Sequence, residues 1–324
     1  MKALVTGANG FTGSHLVKAL ERHGASVVGL VRRTSNCDRL NGSGLERVYG
    51  DIADREAIAT AMQDVDTVFH LAAYVDLGLV DETEMARVNL EGTRAVLETA
   101  QSQPTPPRLL YCSTIGIYGD TRGTVVDEAF QRQQTDFSSA YDRTKYRAQE
   151  LVDRAAAEGL KVVSVMPSGI FGPDDPHFGP AIKLFLSGWL KGWPGGDRMT
   201  GVVHVEDLVE AMILAVERGT PGEHYILSAS ELSLRDMFAI LSRETGIPVP
   251  AEIPQPLVRA IGNILDPIGR LFKWNPPLGR ERIHYLYDRC VRVSGAKAKR
   301  ELGWQPRSIE ATLQDILDQL RSTN

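Results

Sequence analysis

The chain has 324 residues of ordinary globular composition and a formal net charge of −5. That length is ample for a substantial core in one large domain or two coupled ones, and the acidic balance argues against a general nucleic-acid binder. Cys37, Cys112 and Cys290 lie far apart without metal spacing, no apolar run is long enough to span a bilayer, and Met1 runs straight into the first apolar stretch, so the expectation is a cytoplasmic protein with no signal peptide, metal site or disulfide framework.

Lys2 to Thr6 reads as a short buried strand. Gly7-Ala8-Asn9-Gly10-Phe11-Thr12-Gly13 follows, then a helical stretch from Ser14 to His23 with Leu16, Val17 and Leu20 on one face. A strand, three glycines spaced by three and a helix opening form a dinucleotide-binding turn. Gly7 permits the tight turn, Gly10 lets the backbone approach a pyrophosphate, and Gly13 lets the helix lie close on the strand. The helix N-terminus offers unpaired N–H groups and a positive dipole end to the phosphates.

Ser26 to Val31 is predicted as the second strand, ending in Val31-Arg32-Arg33. An NAD-selective site usually carries an acid here for the ribose 2′-hydroxyl. A valine followed by two arginines favours NADP, because a guanidinium forks onto a 2′-phosphate. Arg47 to Ile52 gives a short strand and its end, with Asp51 and Ile52 placed to flank an adenine. Asp54 to Gln63 is predicted helical, Thr67 to Ala72 a strand and Met85 to Ala100 one long helix. The small residues of Leu71-Ala72-Ala73 let a cofactor pass, and Tyr74 and Asp76 lie at the substrate end.

Arg108 to Ser113 is the fifth strand, Tyr141 to Glu158 a helix and Lys161 to Met166 the sixth strand. The alternation predicts an α/β fold with a parallel sheet. Tyr141 and Lys145, four apart, share a helix face. An ammonium beside the phenol, together with an oxidised nicotinamide, would favour the phenolate and fit Tyr141 for proton exchange. Ser113 or Thr114 at the strand end can hydrogen-bond the reacting oxygen.

Beyond Pro167 the chain reads as loop-rich, with strand then helix over 202–217 and a strand at Tyr225 to Leu227. The prolines between Pro248 and Pro277 predict short broken pieces, before a last helix over about 309–320. Residues 256–274 nevertheless carry an apolar stripe at near-helical spacing, interrupted by Pro267, with Arg259, Arg270 and Lys273 as cations. It reads as a core-facing helix, with a lid over an apolar substrate or a membrane-surface patch as the alternatives. His204 and Asp207 are read as ordering a helix start.

Taken with His70-Leu71-Ala72-Ala73, Val88-Asn89-Leu90-Glu91-Gly92-Thr93, Tyr118-Gly119, Pro167-Ser168-Gly169-Ile170-Phe171-Gly172-Pro173 and Val203-His204-Val205-Glu206-Asp207, these motifs make the chain resemble the extended short-chain dehydrogenase/reductase family over nearly its whole length. The resemblance implies a Rossmann doubly wound parallel sheet over 1–166, rejoined by about 201–227, and a smaller discontinuous α/β substrate-binding domain from 167–200 and 228–324. It implies a triad of Thr114, Tyr141 and Lys145, with Ser113 as fallback. Gly7, Asn9, Gly10, Phe11, Thr12, Gly13 and Asn89 fall to the cofactor, as do Pro167 and Ile170 against the nicotinamide. Ser168 and Thr114 join Tyr74 at the substrate, and dimerisation through the helices at 85–100 and 141–158 is implied as well. Within the family the chain looks closest to dihydroflavonol-reductase-like and 3β-hydroxysteroid-dehydrogenase-like members. The expected activity is therefore reduction of a mostly apolar, ring-bearing ketone with NADP(H), or the reverse. Two alternatives stay open: a nucleotide-sugar epimerase or dehydratase holding NAD, where Arg198, Arg280 and Arg282 could meet a diphosphate, and a non-catalytic nucleotide sensor.

Overall fold

The computed structural model describes residues 1–322. In chain order it contains β1 (Lys2–Thr6), α1 (Phe11–Arg22), β2 (Ser26–Val31), β3 (Glu46–Tyr49), α2 (Arg55–Ala61) and β4 (Thr67–His70). Then come α3 (Glu82–Ala86) and α4 (Gly92–Ser102), joined by a π-helical turn over Arg87–Glu91, β5 (Arg108–Cys112), β6 (Val125–Val126), α5 (Ala140–Ala157), β7 (Val162–Pro167) and β8 (Gly169–Phe171). The remainder is α6 (Gly179–Leu186), β9 (Gly192–Trp193), β10 (Thr200–His204), α7 (Val205–Arg218), β11 (His224–Leu227), β12 (Ser230–Leu232) and α8 (Leu234–Thr245), followed by β13 (Ala251–Glu252), α9 (Gln255–Phe272), α10 (Arg280–Tyr287), β14 (Arg292–Val293), α11 (Ala296–Leu302) and α12 (Ile309–Ser322).

Seven strands form one parallel sheet in the order β11-β7-β5-β4-β1-β2-β3. Its inner strands are largely apolar on both sides because both faces are covered, whereas the edge strand β3 is mostly exposed. Leu16, Val17 and Leu20 of α1 pack with Leu208 and Met212 of α7 and Leu302 of α11 on one face. Ile58 of α2, Val96 of α4 and Val152 of α5 fill the other. This is the Rossmann-type doubly wound arrangement. The strand order reverses between β1 and β4, which opens a crevice at the carboxyl ends of the strands. The later segments build a second core around Phe171, Phe185, Trp193, Phe238 and Leu317, over a three-stranded sheet β12-β10-β8.

Several elements differ from the sequence expectation. β4 ends at His70 and β5 at Cys112, so Leu71–Ala73 and Ser113 are already loop. Helix 85–100 is not one regular helix. Its π turn lets Asn89 point inward, where it accepts the Tyr74 N–H at 2.7 Å and donates to the Tyr74 carbonyl and to Thr144 Oγ1, both at 3.0 Å. α6 forms inside the stretch read as loop-rich.

The largest difference is α9, an 18-residue helix in the region expected to be broken. Pro256 sits in the first turn, where no intrahelical donor is needed. Pro267 leaves the Asn263 carbonyl without its helical donor, and Asn263 is exposed, so water can take that bond. The apolar stripe also does not face the core. Val258, Gly262, Asp266 and Gly269 form the buried side, while Ile264 and Leu271 are 63% and 77% exposed.

Candidate functional site

The crevice holds one large cleft of about 920 Å³. One end is built by the β1–α1 turn. Gly7 has φ +72°, and a Cβ there would lie 2.9 Å from Ala72 backbone atoms. A Cβ on Gly13 would lie 2.1 Å from the Gly7 carbonyl oxygen. Both positions exclude any side chain, and that lets the turn lie flat beneath the cleft. Gly10 caps α1 without a side-chain acceptor, so the helix opens into the cleft with its first N–H groups free of a capping side chain. This cradle fits the pyrophosphate of a dinucleotide. Asn9, Phe11 and Thr12 line it too.

Beside the cradle, Val31, Arg32, Ser35, Gly50, Asp51 and Ile52 line the cleft. Arg33 does not. Its guanidinium lies 5.0 Å over the ring of Tyr49, because the chain turns at the end of β2 and sends successive side chains to opposite sides. Of the two arginines only Arg32 lines the cleft. Asp51 is engaged by Arg87 at 2.6 and 3.1 Å, and Arg87 holds its carboxyl below the usual range. Asn89 is the second expected cofactor residue that the cleft does not contain. It is 1% exposed, and the π turn commits it to Tyr74 and Thr144, so it fixes the Tyr74 loop against α5.

The middle of the cleft brings together Leu71, Ala72, Ala73, Ser113, Thr114, Tyr141, Lys145, Pro167, Ser168 and Ile170, all named from sequence. Ser139, two residues ahead of Tyr141, caps α5 by accepting the Asp142 N–H at 3.0 Å. Thr114 accepts the Gly116 N–H at 3.1 Å and hydrogen-bonds Tyr141. The Ser113 hydroxyl is buried and meets no partner among the described residues. The Lys145 ammonium donates to the Cys112 carbonyl at 2.7 Å and sits 4.3 Å over the Tyr111 ring. Burial brings Lys145 down to about 8.

Burial also raises Tyr141 above the ordinary phenol range, with Cys112 and Asp142 adding to the rise. Lys145 is turned to the Cys112 carbonyl, so the lowered phenol that the Tyr-Lys spacing predicts does not follow from these two side chains. A cationic group entering beside the ring is what would lower it.

The far end is lined by Tyr74, Val75, Leu77, Phe178 and Tyr285, with Arg282 as its permanent cation. Arg282 donates to Asp76 at 2.7 Å, so that charge is already paired. Arg198 and Arg280 do not reach the cleft. Tyr285, Phe178, Ser35 and Cys112 are lining residues that sequence reasoning missed. Tyr285 and Phe178 come from distant segments and carry no local motif, whereas Cys112 directly precedes Ser113 and could have been found. His204 caps α7 by accepting the Glu206 N–H, and Asp207 is bound to Arg307, so both order structure as expected.

Comparison with known proteins agrees with this geometry. The family model described as the NAD dependent epimerase/dehydratase family matches residues 3–228. Sterol demethylase protein B of Methylococcus capsulatus is 31% identical over 98% of this chain and 97% of its own length. The 4-hydroxy-2-methyl-3-oxo-4-farnesyl-3,4-dihydroquinoline-1-oxide ketoreductase of Stigmatella aurantiaca is 33% identical over 99% and 96%. The crystal structure of UDP-glucose 4-epimerase from Thermotoga maritima superposes with a TM-score of 0.80 at 24% identity, covering 100% of this chain and 99% of that one, which shows a shared fold.

Proposed function

Because the chain belongs to the NAD dependent epimerase/dehydratase family of extended short-chain dehydrogenases/reductases, whose members are NAD(P)-dependent oxidoreductases and epimerases, we propose that it is an NADP-dependent reductase of a mostly apolar, ring-bearing ketone. The observation that carries this is the substrate end of the cleft. It is formed by aromatic and aliphatic side chains, and its one permanent cation is paired with Asp76. A nucleotide sugar needs free cations for its diphosphate, and this end offers none among the described residues. The names of the sterol-demethylase and farnesyl-dihydroquinoline relatives point to the same class of substrate.

When bound, the nicotinamide cofactor supplies the hydride for the carbonyl carbon. The chain does the rest. The glycine cradle and the start of α1 hold the pyrophosphate, Arg32 the 2′-phosphate, and Pro167 and Ile170 the face of the ring. Thr114 accepts from Gly116 and hydrogen-bonds Tyr141, and its hydroxyl would exchange the bond to the phenol for one to the carbonyl oxygen as the ketone enters. Tyr141 donates its phenolic proton to that oxygen. Lys145 would have to turn from the Cys112 carbonyl toward the phenol and the cofactor ribose to stabilise the negative charge left on Tyr141.

The two arginines make the cofactor assignment testable. Arg32→Ala is expected to weaken NADPH binding by about tenfold or more and to leave NADH nearly unchanged, the loss of a charge-assisted pair. Arg33→Ala, which removes only the contact with Tyr49, is expected to change both by less than about threefold. Titration calorimetry with each nucleotide checks this. Equal losses for NADPH and NADH, or a protein that carries tightly held NAD out of the cell, would favour the epimerase or dehydratase chemistry of the same fold.

A further inference from the structure

α9 presents to solvent a face that the fold does not use. Leu257, Ile261, Ile264, Ile268 and Leu271 recur at alternating steps of four and three and line one side of the helix. Leu257, Ile264, Ile268 and Leu271 are 53%, 63%, 40% and 77% exposed, and Phe272 and Trp274, just beyond them, are 72% and 47% exposed. Single exposed apolar residues are ordinary, but this many on one helix mark an interaction surface.

The charges around the stripe say what kind of surface it meets. The chain carries −5 overall, yet the exposed charges along and just past α9 are the cations Arg270, Lys273 and Arg280, with Arg259 half-buried beside them. The one acid in the helix, Asp266, is buried and accepts the Arg280 N–H at 2.9 Å. Arg259 is tied to Asp288 at 2.5 Å. Arg270 reaches the edge of Asp266 at 3.6 Å but keeps its side chain 71% exposed, and Lys273 and Arg280 form no ion pair among the described residues, so these three are open to an anionic partner. A second copy of the chain fits poorly on area. The stripe, about 27 Å long on a helix about 10 Å across, offers on the order of 300 Å², where a standard interface takes about 800 Å² per partner. No helix among the described residues is long and apolar enough to cross a membrane.

The same helix is coupled to the mouth of the cleft. Gly269 faces Leu79, and Asn275, just past the helix, accepts the Leu79 N–H at 3.1 Å and donates to Asp76 and to the Leu77 carbonyl. Asp76 and Leu77 line the substrate end. We propose that α9 rests on an anionic lipid surface, its apolar stripe at the acyl boundary and Arg270, Lys273 and Arg280 at the phosphates, and, resting on the reductase reading above, that the ketone enters the cleft from that surface.

Flotation with vesicles tests this. The intact protein is expected to float with vesicles of equimolar phosphatidylcholine and phosphatidylglycerol, and about tenfold less with phosphatidylcholine alone. Leu271→Ser with Phe272→Ser, and separately Arg270→Glu with Lys273→Glu, are each expected to lower partition by about tenfold or more, with NADPH binding unchanged. A protein that stays in the aqueous fraction, or variants that float as the parent does, would overturn the proposal. A dimer in gel filtration that the serine variant alone dissociates would also overturn it, since a second copy would then cover the helix. Vesicle binding without any ketone reduction would leave the lipid surface in place and remove the substrate route, so the two readings fail separately.

Discussion

Tyr141→Phe is expected to lower turnover by about a thousandfold or more while leaving NADPH affinity within about twofold, the signature of losing a proton donor that binds nothing in the ground state. The ring would still fill its place, because Phe removes only the hydroxyl that meets Thr114. What disappears is the one phenolic proton in the cleft middle. Lys145 cannot replace it, since its ammonium is directed to the Cys112 carbonyl. Thr114→Val is the informative companion. It should cost less, because it removes a hydrogen bond to the oxygen and not the proton itself. Single-turnover rates with excess enzyme separate this loss from slow product release. A Tyr141→Phe protein that kept more than about a tenth of the activity would contradict the assignment.

Arg289→Ala is expected to cost about 3 kcal/mol of stability, because it strips a buried carboxylate of its cation. Asp142 and Arg289 are 1% and 11% exposed at the side chain and 3.3 Å apart, and Arg289 also lies 4.4 Å over the ring of Tyr285. The pair joins the segment that follows α10 to the first turn of α5, one residue from Tyr141. Burial already raises Asp142 above the ordinary carboxylate range even with Arg289 against it. A raised folded-state pKa means that the folded form binds the proton more tightly than the unfolded chain does. Stability is therefore gained as pH falls through that raised value. Without Arg289 the value rises further, so the deficit should be largest at neutral pH and should narrow on acidification. Urea denaturation at neutral and acidic pH checks both the size and the sign. A variant within about 0.5 kcal/mol of the parent at neutral pH would show that the pair is dispensable.

The parts of this site that could be read from sequence are those whose geometry is local. Three glycines at fixed spacing after a strand define one turn, and Tyr141 and Lys145 four apart on a helix must share a face. The alternation of elements likewise predicted the parallel sheet. Arg33 was misread because its direction depends on how the chain leaves β2, which spacing does not encode. Asn89 was misread because a regular helix would not turn it inward, whereas the π turn does. Tyr285 and Arg289 lie more than a hundred residues from Tyr141, and only the tertiary fold brings them to it. α9 was hidden by its prolines, one harmless in the first turn and one opposite an exposed carbonyl.

The most direct measurement mixes the purified protein with NADPH carrying deuterium at the transferable position and a detergent-dispersed cyclic ketone, then analyses the alcohol and the spent cofactor. One NADP formed per alcohol, with the deuterium on the former carbonyl carbon, is the predicted result. Tightly held nucleotide, no net consumption and interconversion of a nucleotide sugar would contradict it.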